Sequence, residues 1–162
     1  MCLHLNALLP RYCAPLLLAL GLMLSGSALY GAGAVTVSDA EDGYPLGLHL
    51  YYLEDQSRSL TIEDISGGAY DDAFILSREN IPNFAFTDSV YWMRFTVRTE
   101  RLKQHDWILE FSYPLMDQIS LYEMKKGGRA VLLGETGFSL PVNTRESSHR
   151  FFLFNLKLAP EE

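Results

Sequence analysis

The feature that most constrains the fold is a strict alternation of apolar and polar side chains in residues 90–98. One side of this segment carries Tyr91, Met93, Phe95 and Val97, and the other carries Trp92, Arg94, Thr96 and Arg98. A period of two residues is typical of a β-strand with one buried face. The same alternation recurs in three later segments, which are 107–111, 119–121 and 151–158. The sequence therefore predicts several strands that share one apolar core.

No segment after residue 47 sustains a helical period, and strand-like segments recur about every 8–14 residues. We predict a strand at 48–53, a short helix or strand end at 60–65, and a short strand or connector at 71–77. Gly67 and Gly68 would end the second of these, and residues 125–128 predict a hairpin turn. Together these patterns predict an all-β fold, an antiparallel β-sandwich.

The first 34 residues predict a secretory signal peptide. Arg11 is the only lysine or arginine before the apolar segment 14–24, and Ala32-Gly33-Ala34 fits an A-x-A cleavage site. An uncleaved anchor is the alternative, because 5–9 lengthens the apolar stretch. The predicted division is a signal peptide at 1–34, a linker at 35–47 and a β-sandwich at 48–162. We expect the chain to be exported and to continue beyond residue 162, because "LAPEE" is more typical of a turn than of a domain end.

Cleavage of the predicted signal peptide, the leader, would make the domain more acidic and remove its thiols. The chain has 13 basic and 20 acidic residues; Arg11 leaves with the leader, and the remaining 12 and 20 give a net charge of −8. Nucleic acid is a poor partner for this charge, because phosphate binding needs a basic patch. Both cysteines, Cys2 and Cys13, lie in the leader. The mature domain is therefore predicted to lack disulfides and catalytic thiolates.

The candidate ligand site is centred on Trp92 and Arg94. A strand directs Trp92 away from Tyr91, so the indole should lie exposed beside Arg94. Such a pair offers a flat apolar surface and a fork of donors to a sugar. Asp88 and Tyr113 give weaker support. The alternative is that Trp92 packs under a loop and Arg94 pairs with an acid, and that Thr87-Asp88-Ser89 is a turn bonded to its own backbone.

Metal and enzyme signals are weak. Asp64, Asp71 and Asp72, with Glu63, flank Gly67-Gly68, and calcium accepts oxygen ligands around such turns. The spacing does not fit an EF-hand, and the alternative is a solvated acidic loop. His49, His105 and His149 lack metal-ligand spacing, and no nucleophile elbow is present. We therefore predict no catalytic site and no cofactor, with calcium as a weak hypothesis.

Three segments in order, "YLEDQSRSLTIEDI", "NFAFTDSVYWMRFTVRTE" and "WILEFSYPLMDQISLYEM", resemble a bacterial receptor family. The chain is similar, over about residues 48–160, to the type 2 periplasmic sensory region of seven-transmembrane receptors with diverse intracellular signalling modules. The resemblance implies a jelly-roll β-sandwich similar to carbohydrate-binding modules. It also implies a following seven-helix unit and a cytoplasmic output, commonly a histidine kinase or a diguanylate cyclase.

Two functions follow from these observations. The first is a periplasmic sensor, tethered to the inner membrane in the full-length protein, that binds a carbohydrate or another small ligand and signals through the attached unit. The second is a protein-interaction domain, such as a homodimer, that has no small ligand. Kinase or cyclase activity would lie in an output module outside these residues.

Overall fold

The computed structural model describes residues 3–4, 33–100, 102, 106–141, 143 and 149–158. Some residues named in the sequence analysis lie outside this part of the chain. They are Cys2, Cys13 and Ala32 of the leader, His105, and residues 159–162. Short strands dominate the described part, and the predicted all-β class is confirmed. The strands are β1 (Leu3–His4), β2 (Ala34–Val37), β3 (Tyr51–Asp55), β4 (Ile75–Leu76), β5 (Val90–Arg94), β6 (Thr96–Thr99), β7 (Asp106–Phe111), β8 (Ile119–Met124), β9 (Ala130–Thr136) and β10 (Phe152–Lys157).

The described strands form four small sheets. Their orders are β1-β7-β10, β2-β6, β4-β3-β5 and β8-β9. All pairs are antiparallel except β2 with β6, which is parallel. The antiparallel prediction thus has one exception, and the jelly-roll arrangement stays a prediction. None of the helices among the described residues has the length and apolar character that spanning a membrane requires.

The core is centred on the pairing of β7 with β10. Six residues of each strand pair in one register, which places Leu109 opposite Phe154 and Trp107 opposite Leu156. The alternating residues of both strands are buried, as the sequence predicts: Trp107, Leu109, Phe111, Phe152, Phe154 and Leu156. Gly134 of β9 faces this layer, because an added Cβ would lie 3.3 Å from the Phe154 ring. The β8–β9 hairpin therefore packs closely across β10.

The segment predicted as one strand at 90–98 is divided at Phe95. β5 pairs with β3, whereas β6 pairs with β2, so the chain changes sheets at this residue. Val97 is fully buried, and Met93 and Phe95 pack against the core. Residues 35–47 join the same core, because Val35, Val37 and Leu46 are buried.

The structure shortens one predicted strand and decides between the two alternatives given for another segment. The strand predicted at 48–53 begins at Tyr51, because Gly47–His49 forms a 3₁₀ turn. A Cβ at Gly47 would lie 2.0 Å from the Asn80 carbonyl oxygen, so this close approach requires glycine. In the segment 60–65, the helical alternative is confirmed as α1 (Ile62–Ser66). Thr61 and Asp64 form a capping box at its start, which satisfies otherwise unpaired amides.

The turn after β3 is organised by the buried carboxylate of Asp55. One oxygen accepts from the Ser57 hydroxyl at 2.6 Å and from the Arg58 amide at 2.9 Å, and the other accepts from the Leu60 amide at 3.0 Å. The Ser57 hydrogen bond above all lowers the pKa of Asp55, with the backbone amides adding to the effect. The ionised carboxylate therefore stabilises this turn.

We expect Phe154→Ala to lower the free energy of unfolding by about 3–5 kcal/mol, because it removes a buried ring from the centre of the core. Chemical denaturation of the exported chain measures the loss. Ile108→Ala is the matched control, since Ile108 lies on the exposed face of β7 and should change stability by about 0.5 kcal/mol or less. Equal losses in both variants would show that the β10 face is not the core.

We expect Asp55→Asn to lower the Tm at neutral pH, because an amide cannot accept at both positions. A carboxyl with a lowered folded pKa contributes stability that is fully present above its ordinary value of 3.8 and is lost as the pH falls through the folded pKa. The difference in Tm between the wild type and Asp55→Asn should therefore narrow as the pH falls below 3.8 and through the folded pKa of Asp55. Thermal unfolding across an acid series measures it, with the exposed Asp42→Asn as control; a difference independent of pH would contradict the assignment.

Candidate functional site

The pairing of β3 with β5 separates two groups of side chains. Tyr51 lies opposite Arg94 and Leu53 opposite Trp92, which places these four residues on one face. The other face carries Tyr52, Glu54, Tyr91 and Met93 by the same register. The opposite orientations of Tyr91 and Trp92, expected from the sequence, are therefore confirmed. We call the first the Trp92–Arg94 face and the second the Tyr91–Glu54 face.

Arg94 is held in place by a charge and by aromatic rings. Its Nη1 forms an ion pair with Asp71 Oδ1, and its Nη2 donates to the Asp71 carbonyl at 3.1 Å. The guanidinium carbon lies 3.9 Å from the centre of the Phe74 ring and 5.7 Å from that of Tyr51. The Arg94 side chain nevertheless keeps 29% of its surface exposed. This partly exposed side chain presents a preorganised fork of donors.

Trp92 is half-buried beside Arg94 on this face. Its indole nitrogen is buried and has no hydrogen-bond partner among the described residues. A buried N–H group without a partner costs free energy, so such a position is uncommon unless water or a ligand completes it. Trp92 is thus less exposed than a ligand surface was expected to be, and Arg94 pairs with an acid as the alternative states. Ligand binding at this pair stays a prediction.

The two weaker candidates lie in loops. Asp88 is exposed in the turn that precedes β5. Thr87 and Ser89 bond each other in this turn, because the Ser89 amide donates to the Thr87 hydroxyl at 3.1 Å. Tyr113 is 40% exposed in the loop after β7, a strand of another sheet. The structure thus places Trp92 and Arg94 on one face, with Asp88 one turn before them and Tyr113 on a separate element.

The acidic residues named for calcium have other roles. Asp64 caps α1, Asp71 binds Arg94, and Asp72 is exposed. Among the residues that the structure describes, no three histidine, cysteine or acidic side chains converge as a metal site. The calcium hypothesis stays a prediction, and it would require Asp64 and Asp71 to exchange their present partners.

The Tyr91–Glu54 face carries a cluster that sequence reasoning missed. The Phe84 ring stacks on Tyr91 with centres 4.2 Å apart and contacts Tyr52 edge-on at 5.0 Å. Ser89 Oγ donates to Glu54 Oε1 at 2.7 Å. This bond lowers the pKa of Glu54, while burial and the nearby Glu54 raise the pKa of Tyr91. The dense aromatic residues of 83–92 were the available signal, but the loop that brings Phe84 back has no periodic pattern.

Comparison with known protein families identifies a relationship. The family model described as "7TMR-DISM extracellular 2" matches residues 47–162, which is well over half of the chain. The span agrees with the resemblance seen in the sequence, which is thereby confirmed. No curated protein and no solved structure matches the chain.

We expect Arg94→Lys to lower the free energy of unfolding by about 1 kcal/mol, because an ammonium cannot donate to both Asp71 oxygens while lying flat on Phe74. Urea denaturation at low and high salt measures the change, which salt should only partly remove, since the ring contact is less sensitive to screening. Arg98→Lys is the matched control, since Arg98 is exposed on β6. Equal stabilities of these two variants would contradict the role of Asp71 and Phe74 in holding Arg94, an arrangement that we call the Arg94 clamp.

Proposed function

The chain belongs to the family of type 2 extracellular domains of 7TMR-DISM receptors, and we propose that it binds a small ligand, a carbohydrate, on the Trp92–Arg94 face. The family consists of extracellular sensory domains of membrane receptors. The ligand, the attached seven-helix unit and the cytoplasmic output module are parts of this proposal. The domain itself acts by binding and carries no catalytic role.

One observation supports the position of the site above all: a partly exposed, immobilised guanidinium lies beside a half-buried indole on the same strand. Sugars present apolar C–H faces and rows of hydroxyl groups, which suit an aromatic ring next to a fixed donor. Because Phe74 and Asp71 already hold Arg94, little side-chain entropy remains to be lost on binding. This preorganisation favours Arg94 over the solvent-exposed Arg98 as the contact.

The same clamp provides a route from binding to signalling. Asp71 begins the 3₁₀ turn Asp71–Ala73, which leads into β4 at the edge of the β4-β3-β5 sheet. A ligand that takes a donor from Arg94 competes with Asp71 and loosens the link between β5 and this turn, while the Phe74 ring continues to hold the guanidinium. Ligand binding shifts a receptor only by its difference in affinity between two states. The two states proposed here differ in whether Asp71 holds Arg94.

A second function, protein interaction or homodimerisation without a small ligand, has its own observation. The β8–β9 hairpin exposes Met124, Leu132 and Leu133, which are 43%, 49% and 40% accessible. Grouped apolar side chains on a surface are typical of a protein contact. Concentration-dependent self-association that Leu132→Ser weakens would support this function.

We expect one sugar of a panel to raise the Tm of the exported chain, with saturating ligand at about 100 times its Kd stabilising the fold by about 2.7 kcal/mol. Trp92→Phe and Arg94→Lys should remove the shift, and Arg98→Lys should keep it. Amino acids and calcium complete the panel.

The other outcomes reassign the function. A shift that survives both site variants would move the ligand site away from this face. A shift from calcium alone would move it to Asp64, Asp71 and Asp72. No shift from any compound, together with a dimer in solution, would replace the ligand sensor by the protein-interaction domain.

A further inference from the structure

The opposite face of the same strand pair carries a second arrangement that suits a ligand. Phe84, Tyr91 and Tyr52 form a continuous group of rings, joined at 4.2 Å and 5.0 Å between centres. Glu54 lies opposite Tyr91 in the β3–β5 register, so its carboxylate is at the border of this group. The carboxylate is exposed to solvent. Aromatic surface and negative charge therefore meet at one accessible position.

The hydrogen bonds around Glu54 hold its carboxylate and leave it with acceptor capacity. Ser89 Oγ gives its proton to Glu54 at 2.7 Å and accepts one from Thr87 at 3.2 Å. Burial, and after it the nearby Glu54 carboxylate, raises the pKa of the Tyr91 phenol, so this hydroxyl keeps its proton. A carboxylate has about four lone-pair positions and no donor when ionised. What remains for a ligand is acceptor capacity with a full negative charge.

The backbone conformation of the loop 83–89 places a phenylalanine ring on Tyr91. Ala85 has a φ of 56°, a left-handed conformation that is unfavourable for a residue with a Cβ. Its amide donates to Asn83 Oδ1 at 2.9 Å, which stabilises the turn. Phe84 consequently points onto Tyr91, whereas Phe86 is fully exposed to solvent. The loop therefore contributes the Phe84 ring to the cluster, and the Phe86 ring lies in solvent.

We propose that Glu54, with Phe84 and Tyr91, forms a second binding site that takes a small organic cation, one bearing an ammonium group. The ionised carboxylate beside aromatic rings favours a cation over a neutral sugar on this face. An ammonium group is attracted both by the carboxylate and by the ring faces. The chain's net charge of −7 adds long-range attraction for cations. The site is separate from the Trp92–Arg94 face because alternate residues of a strand point to opposite sides.

The test compares choline with 3,3-dimethylbutan-1-ol, its neutral counterpart of the same shape, on the exported chain. Amide chemical shifts in solution NMR report both affinity and location. We expect choline to give saturable shifts at residues 83–91 and the neutral alcohol to give much weaker ones. Ethanolamine, which carries a primary ammonium, serves as the second cation.

Two variants assign the contacts. Glu54→Gln keeps an acceptor oxygen for Ser89 but removes the charge, and should weaken choline binding about tenfold, equivalent to 1.4 kcal/mol. Phe84→Leu keeps apolar volume but removes the ring face, and should weaken choline more than it weakens any binding of the neutral alcohol. Both variants should retain the wild-type amide spectrum outside 83–91. Trp92→Phe should leave choline binding unchanged.

Several results would overturn the site. Equal binding of choline and its neutral counterpart would show a merely apolar patch, and unchanged affinity in Glu54→Gln would exclude the carboxylate. Saturable shifts from neither cation, or shifts centred on Trp92 and Arg94, would also refute the proposal. Loss of sugar binding in Trp92→Phe tests the other face alone, so failure of one proposal leaves the other measurable.

Discussion

The pairing of β3 with β5 is the constraint on which both candidate sites depend. Its register places Arg94 opposite Tyr51 and Tyr91 opposite Glu54. Because neighbouring residues of a strand point to opposite sides, a one-residue slip would move every one of these side chains to the other face. Arg94 would lose Phe74 and Asp71, and Glu54 would leave the rings. The core resists such a slip, since Met93 packs against it and Val97 of the continuing β6 is fully buried.

Charge is handled differently on the two faces. On one, Arg94 is neutralised by Asp71 and covered by Phe74, so the free energy of partial desolvation is offset by an ion pair and ring contacts. On the other, Glu54 is held by Ser89 while its charge stays open to solvent. A preorganised donor and a preorganised acceptor thus lie on opposite sides of one strand pair. The two proposals rest on this arrangement, with a hydroxylated ligand proposed on the first face and an organic cation on the second.

The regular strands were predictable because periodicity is a local property. Phe152, Phe154, Leu156 and Leu158 alternate in the sequence and are buried in the structure, as are Trp107, Leu109 and Phe111. The division at Phe95 was not predictable, because the alternation continues without a break while the strand partner changes from β3 to β2. Which strand pairs with a given strand depends on distant segments of the chain, so the sequence of one strand does not specify its partner.

By itself, the sequence determined the all-β class, the two faces of the 90–98 segment, the hairpin at 125–128 and the resemblance to the sensory family. The first three follow from neighbouring residues, whose spacing sets the side-chain direction in a strand or the backbone of a turn. The resemblance rests on three whole segments that occur in order. Only the tertiary structure decided that Asp71 reaches Arg94 and that Phe84 folds back onto Tyr91. Asp71 and Arg94 are 23 residues apart, and irregular loops bring these partners together. Loop paths are set by packing against the finished sheet, so contacts of this kind have no periodic signal in the chain.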